Sequence, residues 1–433
     1  LTLEALEDRL VPSLAGPEIA ITTTGTQLHA VNASSRSGNW SVVVYTQDSG
    51  TPGMPDIYAQ VYDSSHHPHG NLLRVASSRA ENSRNVNGYV DDNPAVAMDQ
   101  AGRFVVVWTK IAAVADYQIK AQWFTVDGPA TVPLVIDDAA TALFGPTVAV
   151  DGNDNFVVAY TARDRSSGSF IKGATVDGVG VVTSTFSVPK NGGQVENQPS
   201  VAERPDGRFA IAFNQDGRIC VDSFSPQGIE LSTPLFVDAS PLLESSPSLA
   251  MDVNGNCVVA WSVAAATSKD DPLIKACRIN NLGVQGPVLR IDAGTMPSVA
   301  MAPVGPSPSV GGDFVVAYQY QWQAVAITEV TNNDTRLTQP YLDQGVSAAW
   351  GDSQPCISMN GSNQYFLTYN YDDYGLEPST IKGRLGTLVD FPATGSGGST
   401  GGTGTIDSSG GGGVGGYHYQ PPVQLKTATH WPV

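Results

Sequence analysis

Residue types able to do chemistry are few and scattered in this chain. The histidines are His29, His66, His67, His69, His418 and His430. Three of them form HHPH (66–69), where close imidazoles, with Asp63 beside them, would offer nitrogen ligands to a transition metal. The run lies between two short apolar segments, so a solvated hairpin tip is the plainer reading. DGNDN (151–155) and DVNGN (252–256) set oxygen ligands at alternate positions, as calcium loops do. Neither is followed by the bidentate carboxylate such loops use, and an Asp side chain capping a tight turn accounts for both. YDDYG (371–375) places Asp372 and Asp373 beside aromatics, a combination that could grip a sugar. Adjacent strand residues point to opposite faces, so the two do not make an acid–base couple by themselves.

The cysteines are Cys220, Cys257, Cys277 and Cys356. A symmetric hairpin between residues 262 and 273 would set Cys257 opposite Cys277 as a thiol pair; two buried free thiols are the alternative. Neither has a histidine near it in sequence, so neither reads as a nucleophile. Nucleophile-elbow, zinc-helix and phosphate-loop motifs are missing. The expectation is therefore no catalytic residue, no metal site, no cofactor and no enzymatic activity.

The elements that carry these residues come from a repeat. Pro-x-Val-Ala, a polar turn and Phe-Val-Val-Ala-Trp/Tyr recur in NPAVAMDQAGRFVVVW (93–108), GPTVAVDGNDNFVVAY (145–160), QPSVAERPDGRFAIAF (198–213) and SPSLAMDVNGNCVVAW (246–261). Two further copies lie at 296–318 and 354–369, and a divergent first copy at 27–45. Each is followed by a second apolar signature, such as IYAQVY (57–62), IKGATV (171–176) or IKACRI (274–279), and most by a third, such as PLVID (133–137). Each unit thus supplies about four short strands. The Asp, Asn and Gly clusters between the first two suit hairpin turns. The unbroken Val/Ala/Phe runs imply strands buried on both faces, which stacked blades achieve.

Seven such units predict an all-β, seven-bladed propeller. The last unit has no outer segment after IKGRLG (381–386), whereas PEIAITTT (17–24) precedes the first unit. An N-terminal strand is therefore expected to complete the seventh blade and close the ring. The expected organisation is a segment at 1–16, a propeller over 17–392, a Gly-rich linker at 393–416 and a C-terminal peptide at 417–433.

Lys and Arg number 23 against 41 Asp and Glu, a net charge of −18. Nucleic acid and anionic membranes recruit clustered cations, so neither is an expected partner. No run of about 18 apolar residues offers a membrane span.

LTLEALEDRLVPS (1–13) resembles a short Leu/Glu-rich element ending in Arg-x-x-Pro-Ser, found near the start of many exported planctomycete proteins. The blades are similar to the "VAMD…GxFVVVW" repeats of large secreted bacterial surface proteins. The resemblance implies export to the cell surface and assigns no activity. Read from its residues alone, the segment is a short amphipathic helix with Leu3, Leu6 and Leu10 on one side.

After the repeats the chain turns to glycine and then to an apolar and aromatic end. As a flexible coil the linker reaches about 26 Å, against a radius of gyration of about 21 Å for a body of this size. Val423, Leu425, Thr427 and Trp431 share one face of an extended segment, and Tyr417 and Tyr419 add anchors. The leading expectation is thus a non-enzymatic extracellular structural protein. Its tail would dock as a strand on another copy of itself, building oligomers or filaments. The alternative is a ligand- or glycan-binding propeller of the cell surface, with 77–92 and 302–312 as candidate loops. A propeller enzyme comes third.

Overall fold

The computed structural model describes residues 19–22, 27–48, 55–77, 93–113, 116–139, 142–164, 168–188, 196–267, 269–304, 311–320, 324–336, 341–342, 354–371 and 380–388. The segment at 1–16, Asp372 and Asp373, nearly all of 77–92, the Gly-rich linker and the tail residues Tyr417, Tyr419, Val423, Leu425, Thr427 and Trp431 lie outside them. Chain contacts divide the molecule after Val389, and the unit Leu1–Val389 contains every strand among the described residues.

That unit is a seven-bladed β-propeller with no helix among its described residues. Seven inner strands lead the blades: Gln27–Ser34, Ala95–Met98, Ala142–Val150, Glu196–Glu203, Glu244–Met251, Thr295–Met301 and Cys356–Met359. Each pairs antiparallel with a second strand, and third and outer strands follow in meander order. The second strands read as unbroken buried runs, as in Phe209–Gln215 and Cys257–Val263. Their two faces are covered by the blades on either side, which is why the sequence lacks polar alternation there.

Seven apolar clusters fill the seven junctions. The seventh joins Ala30, Val43, Tyr45 and Tyr62 of the first blade to Phe366 and Ile381 of the last, with Ile19 and Ile21 packed against them. Ile19–Ala20 is the outer strand of that last blade, paired with Thr380–Thr387 in the register Ile19↔Gly383. The ring is closed by the N-terminal strand, and the expected closure stands.

Around the axis the inner strands leave one edge unpaired, and exposed edges of this kind are normally covered or capped. Here the residue after the motif proline does the capping. Thr147 Oγ1 accepts the backbone N–H of Val201 at 3.4 Å, Ser200 Oγ that of Leu249 at 3.0 Å, Ser248 Oγ that of Val299 at 3.0 Å and Ser298 Oγ that of Ile357 at 3.1 Å. At the closing junction Cys356 Sγ accepts from Asn32 N–H at 3.3 Å, and Asn32 Nδ2 donates back to the Cys356 carbonyl at 2.7 Å and to Thr368 Oγ1 at 2.8 Å. Each of the five backbone N–H bonds joins the position after the motif proline in one repeat to the position two after the proline, or its counterpart Asn32, in the next. The inner strands therefore run in parallel, level with one another, and the ring has two distinct ends.

The expected placement of the thiol pair is corrected by register. Cys257 lies opposite Ile279 and Cys277 opposite Val259, so the two are diagonal neighbours in one apolar cluster. Both are free thiols, and burial pushes each up to about 12.

Candidate functional site

The end at which the inner strands begin, the mouth, carries a repeated backbone irregularity. Strand register slips between Leu28 and Val31, Phe144 and Thr147, Asn197 and Ser200, Ser245 and Ser248, and Thr295 and Ser298. Inside each slip one residue is left-handed: His29 (φ 53°), Gly145 (φ 59°), Gln198 (φ 54°), Ser246 (φ 52°) and Met296 (φ 52°). Only Gly145 adopts this conformation without steric cost. The other four hold it at about 1–3 kcal/mol each, offset by the packed blades on both sides. A bulge of this kind re-aims a side chain at the rim of a sheet. Asn93 and Gln354 precede Pro94 and Pro355 at the matching places in the second and seventh blades.

These residues meet across blades. His29 Nδ1 lies 3.2 Å from Gln354 Oε1, joining first and last blades, and Ser246 N–H donates to Gln198 Oε1 at 2.9 Å. Asn93 Oδ1 is buried and has no hydrogen-bond partner among the described residues. Beside Met296 a recess of about 480 Å³ opens, lined by Thr267, Lys269, Asp270, Asp271 and Thr295 together with Ala265 and Pro272. Thr267 Oγ1 donates to Asp270 Oδ2 at 2.8 Å, and Gly294 N–H to the Pro272 carbonyl at 2.8 Å, tying the recess wall to the start of the sixth blade. Burial, then Asp292 and Asp271, raise the Tyr320 hydroxyl above its ordinary range.

Cations near the mouth are largely engaged between blades. Lys172 and the Tyr160 hydroxyl both donate to Asp137, and Lys275 donates to Asp238 at 2.5 Å. Arg336 donates to the Ile291 carbonyl. The aspartates concerned close the outer segments PLVID and PLFVD, one repeat before the lysines of IKGATV and IKACRI. Two motifs read separately in the sequence are thus the halves of one inter-blade contact.

At the opposite end, the base, the polar groups are consumed by their own turns. Asp99 Oδ1 accepts N–H groups of Ala101, Gly102 and Arg103, each at 2.8 Å. A side chain on Gly102 would also strike Trp40 of the first blade, 2.4 Å from where its Cβ would lie, and φ is +98° there. Asp151 Oδ1 accepts from Asn153 and Asn155 N–H, and Asp252 Oδ1 from Asn254 and Asn256 N–H. Their second oxygens take the Asn155 and Asn256 side-chain amides. The calcium-like spacing is thus that of a carboxylate capping a hairpin turn. One carboxyl at the base differs. Glu203, 8 % exposed, stands where the other repeats place Met, Val or Ser, and its Oε2 has no hydrogen-bond partner among the described residues. Burial, with Asp151 and Asp206 adding to it, pushes its carboxyl up to about 10.

The HHPH run is a hairpin tip whose rings diverge. Asp63 Oδ1 accepts the N–H groups of Ser65 and His67, His66 meets Phe366 edge-on at 5.3 Å, and His69 Nε2 lies 3.1 Å from Asp127. Among the described residues no three His, Cys, Asp or Glu side chains are placed to share a metal ion.

No protein-family model and no curated protein matches this chain. Solved structures do. The polysaccharide lyase Uly1 is similar at 9% identity and a TM-score of 0.53, over 86% of this chain and 99% of that one. An ulvan lyase of polysaccharide lyase family PL25 matches at 10% identity and 0.51, over 86% and 96%. A Hadza microbial sialidase matches at 13% identity and 0.46, over 84% of this chain and 66% of its own length. At these identities the likeness defines a class by fold, the seven-bladed propellers. It also overturns the expectation of a non-enzymatic, self-assembling structural protein. Propellers alike over most of this chain act on polysaccharides, and the assembly reading rested on tail residues outside the described structure.

Sequence reasoning missed His29, Asn93, Gln198, Ser246, Met296 and Gln354. For all but His29, which precedes Ala30, the available signal was the residue preceding each motif proline, which varies in type while its position does not.

Proposed function

We propose that this protein is an exported, cell-surface propeller that binds a glycan at the mouth of its ring. The observation that carries the reading is the convergence there of His29, Asn93, Gln198, Ser246 and Gln354 at one level, four of the seven positions being held on left-handed non-glycine backbone. Sugars present closely spaced hydroxyls that each donate and accept, and amide, imidazole and hydroxyl groups are their natural partners. Holding those groups on a rigid ring lowers the ordering cost of binding. The fold class supports the same reading, since one of the similar ulvan lyases is described bound to a glucuronate–sulfated rhamnose unit. The recess beside Met296 is a second contact region for a chain lying across the mouth. Export follows from the resemblance of residues 1–13.

The test is affinity electrophoresis and calorimetry of the full chain against a panel of soluble polysaccharides, beside a His29→Ala, Gln354→Ala variant. At least one polysaccharide should bind, with affinity falling tenfold or more in the variant at unchanged folding. Equal binding by both proteins sinks the mouth as the site. A second reading, chemical action on the bound glycan, is favoured by His29, a titratable ring held between blades by Gln354. It predicts release of reducing ends that stops in His29→Ala while Gln354→Ala retains some turnover.

A further inference from the structure

The geometry points to an uncharged glycan at the mouth, not a uronate- or sulfate-bearing polyanion; this rests on the glycan reading above and narrows it. Anionic sugars are held by guanidinium forks or free ammonium groups, because only these return the hydration energy that the anion loses. Several cations at this mouth are already engaged. Lys172 is bound to Asp137, Lys275 to Asp238, and Arg336 to the Ile291 carbonyl. Arg218 donates to the Asp238 carbonyl at 3.0 Å and covers the Phe236 ring, and Arg163 donates to Ser169 Oγ at 3.3 Å and covers the Phe144 ring. Replacing Asp137 or Asp238 with a ligand anion would leave a largely buried aspartate unpaired, which opposes the exchange.

At the bulge and proline-adjacent positions of the rim the side chains are amide, imidazole, hydroxyl and thioether. The recess is anionic on balance: Lys269 is outnumbered by Asp270 and Asp271. A carboxylate facing a ligand accepts from sugar hydroxyls in charge-assisted hydrogen bonds, and it repels sulfate and uronate. Thr267 already donates to Asp270, which leaves, among the described residues, the second oxygen of that carboxylate and both of Asp271 as acceptors in the recess wall. The chain as a whole adds to this, with a net charge of −18 that slows the approach of any polyanion. The contrast with a neighbour bound to a sulfated, glucuronate-containing chain is one of site chemistry on a shared fold.

The experiment uses matched probes on the full-length chain: dextran against dextran sulfate, laminarin against sulfated laminarin, and fully methyl-esterified pectin against polygalacturonate. The uncharged member of at least one pair should bind tenfold or more tighter than its charged partner. Its affinity should change less than twofold between 50 and 500 mM NaCl. Asp270→Asn with Asp271→Asn should weaken that binding several-fold while raising whatever affinity the charged partner shows. Tighter binding of the charged member, or a steep loss with salt, overturns the inference and leaves the glycan reading in place. Failure of every probe in both sets, at concentrations where the folded protein is intact, overturns both.

Discussion

The mouth and base of this propeller are made from the same repeat, yet they handle polar groups in opposite ways. At the base, Asp99, Asp151 and Asp252 turn back on their own hairpins and satisfy the N–H groups of the next few residues. At the mouth, His29, Gln198, Ser246 and Met296 hold a costly left-handed backbone, and His29 and Ser246 meet Gln354 and Gln198 of adjacent blades. One end spends its polar side chains on its own folding, whereas the other keeps them available. The repeat sequence alone hides this, because Asp in a turn looks more like chemistry than Gln or Ser before a proline.

Four experiments would break or sharpen the comparison. The largest effect is expected at the base. Glu203 is held protonated far above its ordinary range, so the stability tied to that proton is complete at pH 4 and is lost as the pH rises towards 10. Glu203→Gln cannot ionise, and it should gain on the parent chain by about 2–4 kcal/mol between pH 5 and pH 9 in urea unfolding. Parallel stability curves for the two would show that Glu203 ionises freely.

Next comes Asp252, fully buried, which accepts three hydrogen bonds within its own turn. Asp252→Ala strands those donors and should cost about 2–3 kcal/mol, with glycan affinity untouched at temperatures where it remains folded. A loss of affinity in a fully folded Asp252→Ala protein would merge the two ends functionally.

The mirror-image experiment is His29→Ala with Gln354→Ala. It should cost about 1 kcal/mol in stability, because it removes one hydrogen bond and leaves the left-handed backbone at position 29 in place. Affinity should nevertheless fall about tenfold, or about 1.4 kcal/mol. Severe unfolding here, with no affinity phenotype in the folded remainder, would make the mouth structural as well. The smallest effect is expected midway along the channel, where Ser298→Ala removes one of the inter-blade acceptors. It should cost about 1 kcal/mol and leave both end properties unchanged.

Much of the architecture was legible because it is local. Seven copies of one pattern, each with its hairpin turn and unbroken apolar runs, state the number of blades. The missing outer segment after IKGRLG and the surplus one at 17–24 state how the ring closes. Strand register was less legible. A symmetric hairpin would set Cys257 opposite Cys277, but the connection through residues 264–272 shifts the pairing by two, which moves both partners without altering which face they share. The site was the least legible part. His29 and Gln354 are 325 residues apart, and no local pattern marks them as neighbours.

By itself, then, the sequence determined an all-β ring of seven repeats, its closing strand and its acidic surface, since strand period, turn chemistry and charge are properties of short windows or of sums. The tertiary structure alone decided which end keeps its polar groups free. Closing the ring sets equivalent positions of successive repeats side by side at one level, so residues some fifty positions apart become neighbours. Only there can Ser200 cap the next blade, Gln198 reach Ser246, or a single Glu203 find itself buried beside Asp151.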